Sequence, residues 1–210
     1  MFKPISAAVT LLSIAAGASA AEVPLLGHTA RLATDVASMT SSSLTVTSPS
    51  FRPGQDIPFE NTQYRGNIFP GLSWSQGPDG TRSYLVIMQG EPERAGAMTS
   101  IHLTLYNIPA QIHTLAVRMI DPPNGAVYGP NVHGLSAAYA GPHTHTLAKQ
   151  AYHFQVFALD ILLPAPANQS FDAIEAAAKG HVLAAGDLVG YARMDPQSPE
   201  ARKLSADAHR

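Results

Sequence analysis

Three groups of residues in the sequence carry side chains that are able to do chemistry. His102 stands within TSIHLTLYNIP, a segment whose alternation predicts a strand. Glu91 and Glu93 follow a continuous apolar run, and a loop at the end of a strand is a common place for site residues. His143 and His145 flank a threonine, so an extended chain would present both imidazoles on one side. These groups suggest acid–base chemistry, anion binding or metal binding.

Strand periodicity alone favours a structural role for His102. Alternation predicts that His102, Thr104 and Tyr106 face one way. The aliphatic side chains are then expected to face the other way: Ile101, Leu103 and Leu105. A single imidazole held by a neighbouring hydroxyl would produce the same pattern, and an isolated histidine is weak support for a site.

Two chemical alternatives remain open from the residues themselves. A metal-binding protein would use His143 and His145, although the H-x-H spacing supplies no third ligand. A hydrolase would use His102 with Glu91 as acid and base. The chain has no G-x-S-x-G, H-E-x-x-H or P-loop motif, so no known nucleophile or metalloprotease signature supports the second alternative.

The composition limits the classes of function. Of the 210 residues, 45% are hydrophobic and 13% charged, which is typical of a globular protein. The formal net charge is −2 and no basic run occurs, so a nucleic-acid partner has no electrostatic support. There is no cysteine, which excludes thiol nucleophiles and thiolate metal sites.

The first 20 residues are typical of a secretory signal peptide. Lys3 precedes an apolar core, and the run ends in Ala18-Ser19-Ala20, an A-x-A-like cleavage pattern. The apolar core is shorter than a membrane span requires. We therefore expect cleavage after Ala20, a periplasmic or secreted protein, and no membrane span after cleavage. Residues 21–43 are expected to form an N-terminal arm.

Residues 44–195 are predicted to form one mainly β domain. Strands come first and in succession, and a single helix follows late, which indicates an antiparallel or mixed β fold with a peripheral helix. The segment SFDAIEAAAKGHVLAAG is predicted to be helical, with Ser170 as its N-cap and Gly186 as the glycine that ends the helix. The last strand would then begin at Asp187. Trp74 is interpreted as a core residue. The polar tail 196–210 is predicted to be frayed.

Six segments, in order, resemble the phosphatidylethanolamine-binding protein family, in particular its bacterial Raf-kinase-inhibitor-like branch. They are TSPSFRPGQDIP, GNIFPGLSW, IHLTLYNIP, GPNVHG followed by YAGP, FALD, and GHVLAAGDLVGYA. The resemblance implies two antiparallel sheets with a C-terminal helix. It also implies a non-enzymatic binding module with a small pocket for phosphate-like anions, no cofactor, and either a small anionic or phosphorylated ligand or a protein partner.

The resemblance also implies the lining of that pocket. Glu91 falls on the first Asp of the D-P-D-A-P motif, His102 on the strand histidine, and Gly141-Pro142 on the Gly-Pro pair. Gln150 falls on the family's second histidine, which is a departure, because an amide donates hydrogen bonds but cannot become cationic. Glu91 is also longer than the family's Asp. We therefore expect a pocket that persists but binds phosphate ligands weakly.

Overall fold

The computed structural model describes residues 42–92, 99–166 and 169–207. The predicted signal peptide and most of the predicted arm lie outside the described residues, and so does Glu93. Among the described residues, no helix is both long and apolar enough to cross a bilayer.

Two antiparallel sheets form the fold. One has three strands in the order β1-β2-β5, and the other has five in the order β6-β4-β3-β7-β8. The strands are β1 (Val46–Thr47), β2 (Leu72–Trp74), β3 (Ser83–Gly90), β4 (Ser100–Pro109), β5 (Thr114–Leu115), β6 (Val127–Tyr128), β7 (Gln150–Leu159) and β8 (Val182–Ala192). The predicted class, mainly β with two antiparallel sheets, is confirmed.

The larger sheet is buried on both faces. Every residue of β3 is buried, as its continuous apolar run predicts. One face carries a core that includes Met88, Leu103 and Phe154, and it is shared with the smaller sheet and Trp74. The other face carries a second core, against which the first helix packs. The end of β3 at Gly90 therefore lies between β4 and β7, where polar residues of all three strands meet.

A β-bulge in β4 makes His102 face the other way from the predicted direction. Met88 pairs with Leu103 and Gln89 pairs with Ile101, so His102 is the extra residue on its strand. Leu103 belongs to the first core, while Ile101 packs against the second. Strict alternation was therefore wrong, since the bulge puts His102 on the same face as Leu103 rather than opposite it.

Two helices follow β7. Helix α1 (Phe171–Ala178) begins at the predicted N-cap, where the Ser170 side chain accepts a hydrogen bond from the Ala173 amide. The predicted end at Gly186 is wrong. Gly180 has a φ of +79°, a left-handed conformation that glycine favours, and the chain turns there into β8. The prediction of a frayed tail is also wrong, because residues Pro199–Asp207 form helix α2 and its Ala201 is buried.

Candidate functional site

An open cavity of about 970 Å³ lies at the edge of the larger sheet where β3 ends. The first residues of β4 and β7 and parts of the connection between β6 and β7 form most of its walls. Its lining is rich in hydrogen-bonding side chains. The polar and charged members are Gln63, Glu91, Ser100, His102, His133, His143, His145, Thr146, Lys149, Gln150, Tyr152 and Tyr191.

His102 is buried at the bottom of this cavity, with only 4% of its surface exposed. Its Nδ1 lies 2.9 Å from the Ala140 carbonyl oxygen and its Nε2 lies 2.8 Å from the Ser100 hydroxyl. Because a carbonyl can only accept, Nδ1 carries the proton and donates it. Nε2 is then unprotonated and accepts from Ser100. The ring also packs edge-on against Tyr152, with centroids 5.1 Å apart.

Burial keeps His102 neutral. Removal from water lowers the pKa of the imidazole to about 4, although the Ala140 and Gly141 backbone groups oppose that change. The neighbouring His133 lowers it further. At neutral pH the ring therefore offers a lone pair at Nε2, and it becomes a cation only if a bound group supplies compensating negative charge.

The loop before β7 fixes this imidazole. The Ala140 amide donates to the His102 carbonyl at 2.9 Å, so residue 140 is bound to residue 102 through both backbone and ring. Gly141 follows, and its amide donates to Asn67 Oδ1 at 2.6 Å. A side chain at Gly141 would meet the Asn61 carbonyl oxygen at 2.4 Å, so only glycine fits.

Gly141 and Pro142 are buried and, among the described residues, they are not part of the cavity lining. The structure therefore places this predicted pair behind the wall, where it positions His102. Their predicted direct contact with a ligand stays a prediction.

Glu91 lies at the cavity rim, but its carboxylate does not contact His102. Its Oε1 lies 3.1 Å from Nε2 of His153, whose Nδ1 lies 2.7 Å from Asp187 Oδ2. His153 alternates with Tyr152 along β7 and pairs with Gln89, so it lies on the sheet face opposite His102. The alternative in which His102 and Glu91 act as an acid–base pair is therefore not supported by the geometry.

The two carboxylates favour the charged form of His153. Burial by itself would lower the pKa of His153, but Asp187 and then Glu91 outweigh burial and raise it. The side chains of His153 and Asp187 are 5% and 2% exposed, whereas that of Glu91 is 48% exposed. The negative charge that Glu91 brings to the rim is therefore partly neutralised by an imidazolium from the other face.

Gln150 lines the cavity next to Lys149, and its predicted contact with a ligand stays a prediction. Lys149 is about half exposed and forms an ion pair with Asp56 at 2.5 Å. The adjacent amide and ammonium give this wall two side chains that donate hydrogen bonds. The structure thus brings Glu91, His102 and Gln150 to one cavity.

His143 and His145 lie on the same wall, with ring centroids 5.1 Å apart. Both line the cavity, which the sequence did not predict. Within the part of the chain that the structure describes, no group of three or more His, Asp or Glu side chains is arranged to hold a metal ion. The third ligand that the metal alternative requires is therefore not supplied by these residues.

Ser100, Gly90 and His133 were missed from the sequence. Ser100 pairs with Gly90 across β3 and β4, and its hydroxyl is held between Gly90 and the imidazole. The signal that was available is the spacing Ser-x-His in a predicted strand, which puts both side chains on one face. His133 lies in the long connection between β6 and β7, and long connections often carry functional residues.

Two antiparallel sheets with an open, polar cavity at the edge of the larger one define the class of this mainly β protein. The family model "Phosphatidylethanolamine-binding protein" matches residues 47–193. The chain belongs to the phosphatidylethanolamine-binding protein family.

Individual relatives agree with this assignment. A UPF0098 protein of Aquifex aeolicus is 31% identical over 71% of this chain and 88% of its own length. A phosphatidylethanolamine-binding protein homologue from Chlamydia trachomatis is similar in structure, with a TM-score of 0.65 and 28% identity over 74% of this chain and all of its own. Escherichia coli YbcL, described as a member of the mammalian family, gives a TM-score of 0.66 and 25% identity over 73% of this chain and all of its own.

Proposed function

We propose that this protein is an exported binding protein whose cavity takes a small phosphate-like anion. The observation that carries the proposal is the donor-rich lining around buried His102. Imidazole, ammonium, amide and hydroxyl groups line the cavity, and they are the groups that offset the desolvation of an anion.

The placement of negative charge also supports an anion. Among the described lining residues, Glu91 is the only carboxylate, and it is bonded to the His153 imidazolium. Its repulsion of a bound anion is therefore reduced. Lys149 adds a positive charge on the wall, although Asp56 shares it.

The same features make the binding weak. His102 is neutral when the cavity holds only water, so an anion must also bring a proton to Nε2 to gain a charged partner. It must also displace the Ser100 hydroxyl from that nitrogen. Gln150 contributes a hydrogen bond but no charge. We expect dissociation constants above about 1 μM for phosphate and phosphorylethanolamine.

Calorimetric titration with phosphorylethanolamine tests the proposal. His102→Asn keeps a donor for Ala140 and removes Nε2, so it should weaken binding about tenfold, the value of roughly one hydrogen bond. His181→Asn is the matched control, because His181 is a half-exposed imidazole paired with Asp160 away from the cavity lining. Equal affinities in both variants would contradict this site, and sub-micromolar binding would contradict the expected weakness.

Export rests on the signal-peptide pattern of residues 1–20. The expected outcome is that protein recovered from the periplasm or medium of a bacterial host begins at Ala21, as N-terminal peptide mass spectrometry would show. An intact N-terminus on protein confined to the cytosol would contradict export while leaving the binding proposal untouched.

A further inference from the structure

Ser100, His102 and the Ala140 carbonyl form a continuous hydrogen-bonded chain. The hydroxyl donates to Nε2 at 2.8 Å, and Nδ1–H donates to the carbonyl at 2.9 Å. The carbonyl fixes both the tautomer and the orientation of the ring, so the unprotonated nitrogen faces the serine. A hydroxyl beside a base that a third group orients is the arrangement of an activated nucleophile.

Gly90 keeps the space beside this pair open. A side chain at Gly90 would put its Cβ 2.7 Å from Ser100 Oγ and 3.4 Å from His102 Nε2. Only glycine therefore leaves both reacting atoms uncovered on that side. Ser100 is half-buried, and both residues line the cavity, so a small molecule in the cavity can reach the hydroxyl.

Ordinary strand alternation explains why the two side chains meet. Ser100 and His102 are two residues apart on one strand, a spacing that puts side chains on the same face. The bulge at His102 keeps the imidazole on this face while the rest of the strand shifts register. The serine hydroxyl and Nε2 consequently lie within hydrogen-bond distance, 2.8 Å apart.

We propose that Ser100 is a nucleophile and His102 its general base, and that the pair cleaves short-chain carboxylic esters bound in the cavity. Sequence motifs do not reveal this pair, because Ser100 lies in no G-x-S-x-G turn. The activity goes beyond anion binding and does not depend on it.

The reaction balances with water as the only co-reactant. Ser100 Oγ attacks the ester carbonyl carbon while its proton passes to His102 Nε2. The tetrahedral intermediate collapses, the ester C–O bond breaks, and the alcohol leaves with the proton from Nε2. Water then attacks the acyl-serine, again losing a proton to Nε2, and the carboxylic acid leaves as Ser100 regains its hydrogen.

The environment of His102 makes the turnover slow. A neutral carbonyl, not a carboxylate, orients the ring, so the imidazolium that forms in each step gains less stabilisation than in a Ser-His-Asp triad. The imidazole is also desolvated and weakly basic, with a pKa of about 4. An activated phenyl ester acylates readily, whereas the resulting alkyl ester is harder to hydrolyse. We therefore expect the acyl-serine to accumulate.

Incubation of the full chain with p-nitrophenyl acetate tests the proposal. The expected result with the wild-type protein is a burst of p-nitrophenol together with one acetyl group. Peptide mass spectrometry should locate that acetyl group on Ser100. Ser100→Ala should abolish the burst, and His102→Asn should slow it at least about 100-fold, the usual contribution of a general base.

Ser73→Ala is the matched control for Ser100→Ala. Ser73 is a half-buried strand serine whose hydroxyl lies 3.2 Å from Thr114 Oγ1 rather than from an imidazole. It should leave the burst unchanged. Acetylation confined to lysines, or a burst that survives Ser100→Ala, would overturn the proposal. Calorimetry of the wild type with phosphorylethanolamine separates the two proposals. Wild-type protein that binds this ligand but is not acetylated on Ser100 would overturn the nucleophile and leave the binding function standing.

Discussion

His102 and His153 occupy opposite faces of the same sheet and are equally buried, each 4% exposed. Burial lowers the pKa of His102 to about 4, because its partners are a hydroxyl and a carbonyl that tolerate a neutral ring. Burial would lower the pKa of His153 as well, but Asp187 and Glu91 raise it. Partner chemistry, rather than depth, therefore decides the charge of each imidazole.

The two histidines also differ in what surrounds them. His102 faces a cavity whose contents can change, and its Nε2 bonds to a half-buried side chain. His153 bridges two carboxylates and lies beside a buried amide chain in which Gln155 donates to Gln89 and Gln89 donates to Thr99. The first arrangement suits exchange with a ligand. The second suits a fixed structural role that also orients Glu91 at the rim.

Removal of the buried carboxylate should produce the largest effect. Asp187→Ala leaves the His153 imidazolium without its most buried partner, and the expected loss is roughly 3–5 kcal/mol in the free energy of unfolding. Urea denaturation at pH 7 measures it. Asp160→Ala is the control, since its pair with His181 is 42% exposed on both sides and should cost at most about 1 kcal/mol. Similar losses of unfolding free energy in Asp187→Ala and Asp160→Ala would contradict the expectation that the buried pair contributes more than the exposed one.

The pH dependence of stability should have opposite signs at the two sites. The folded-state pKa of His102 is lowered, so the unfolded chain takes up a proton first as pH falls from about 6.5 towards 4, and stability is lost. By pH 5 the loss is about 2 kcal/mol. The folded-state pKa of His153 is raised, so its contribution is present below about pH 6.5 and is lost as pH rises through the folded value.

Urea denaturation at pH 7.5 and pH 5 checks this, with the wild type compared against His102→Asn. The variant should lack about 2 kcal/mol of the acid-induced loss, because Asn does not titrate. An identical pH response in both proteins would show that His102 is not a buried neutral imidazole.

The smallest expected effect on stability belongs to the proposed nucleophile. Ser100→Ala removes one hydrogen bond at the edge of the cavity, where water can replace the hydroxyl at Nε2, so the cost should be about 1 kcal/mol. Thermal or urea unfolding measures it beside Ser73→Ala, which should cost a similar amount. A loss as large as that of Asp187→Ala would mean that Ser100 serves the fold rather than the cavity.

The sequence predicted the elements that depend on local pattern. The apolar run of β3 and the N-cap at Ser170 are local features, and both were confirmed. The end of α1 was misplaced because Gly186 looked like a stop, whereas Gly180 has the positive φ. Helix α2 was missed because its residues are mostly exposed and resemble a polar tail.

The site was predicted only as far as family resemblance reached. His102, Glu91 and Gln150 line one cavity, while their roles in binding a ligand stay predictions. The facing of His102 was wrong because a bulge adds one residue and reverses the alternation, and no single strand reveals its own bulge. Contacts such as Glu91 with His153 depend on the register between β3 and β7, which sequence spacing does not supply.

Nitrogen NMR of the histidine rings, with and without phosphorylethanolamine, tests most directly the claim that the cavity around His102 is the functional site. At pH 7 His102 should be protonated at Nδ1 alone, and His153 should keep its second proton to a higher pH than His102 does, with His102→Asn assigning the first signal. Millimolar ligand should move the Nε2 resonance of His102 and leave His153 in place. A His102 ring that is already doubly protonated, or an Nε2 resonance that does not shift at saturating ligand, would show that the cavity around His102 is not the binding site.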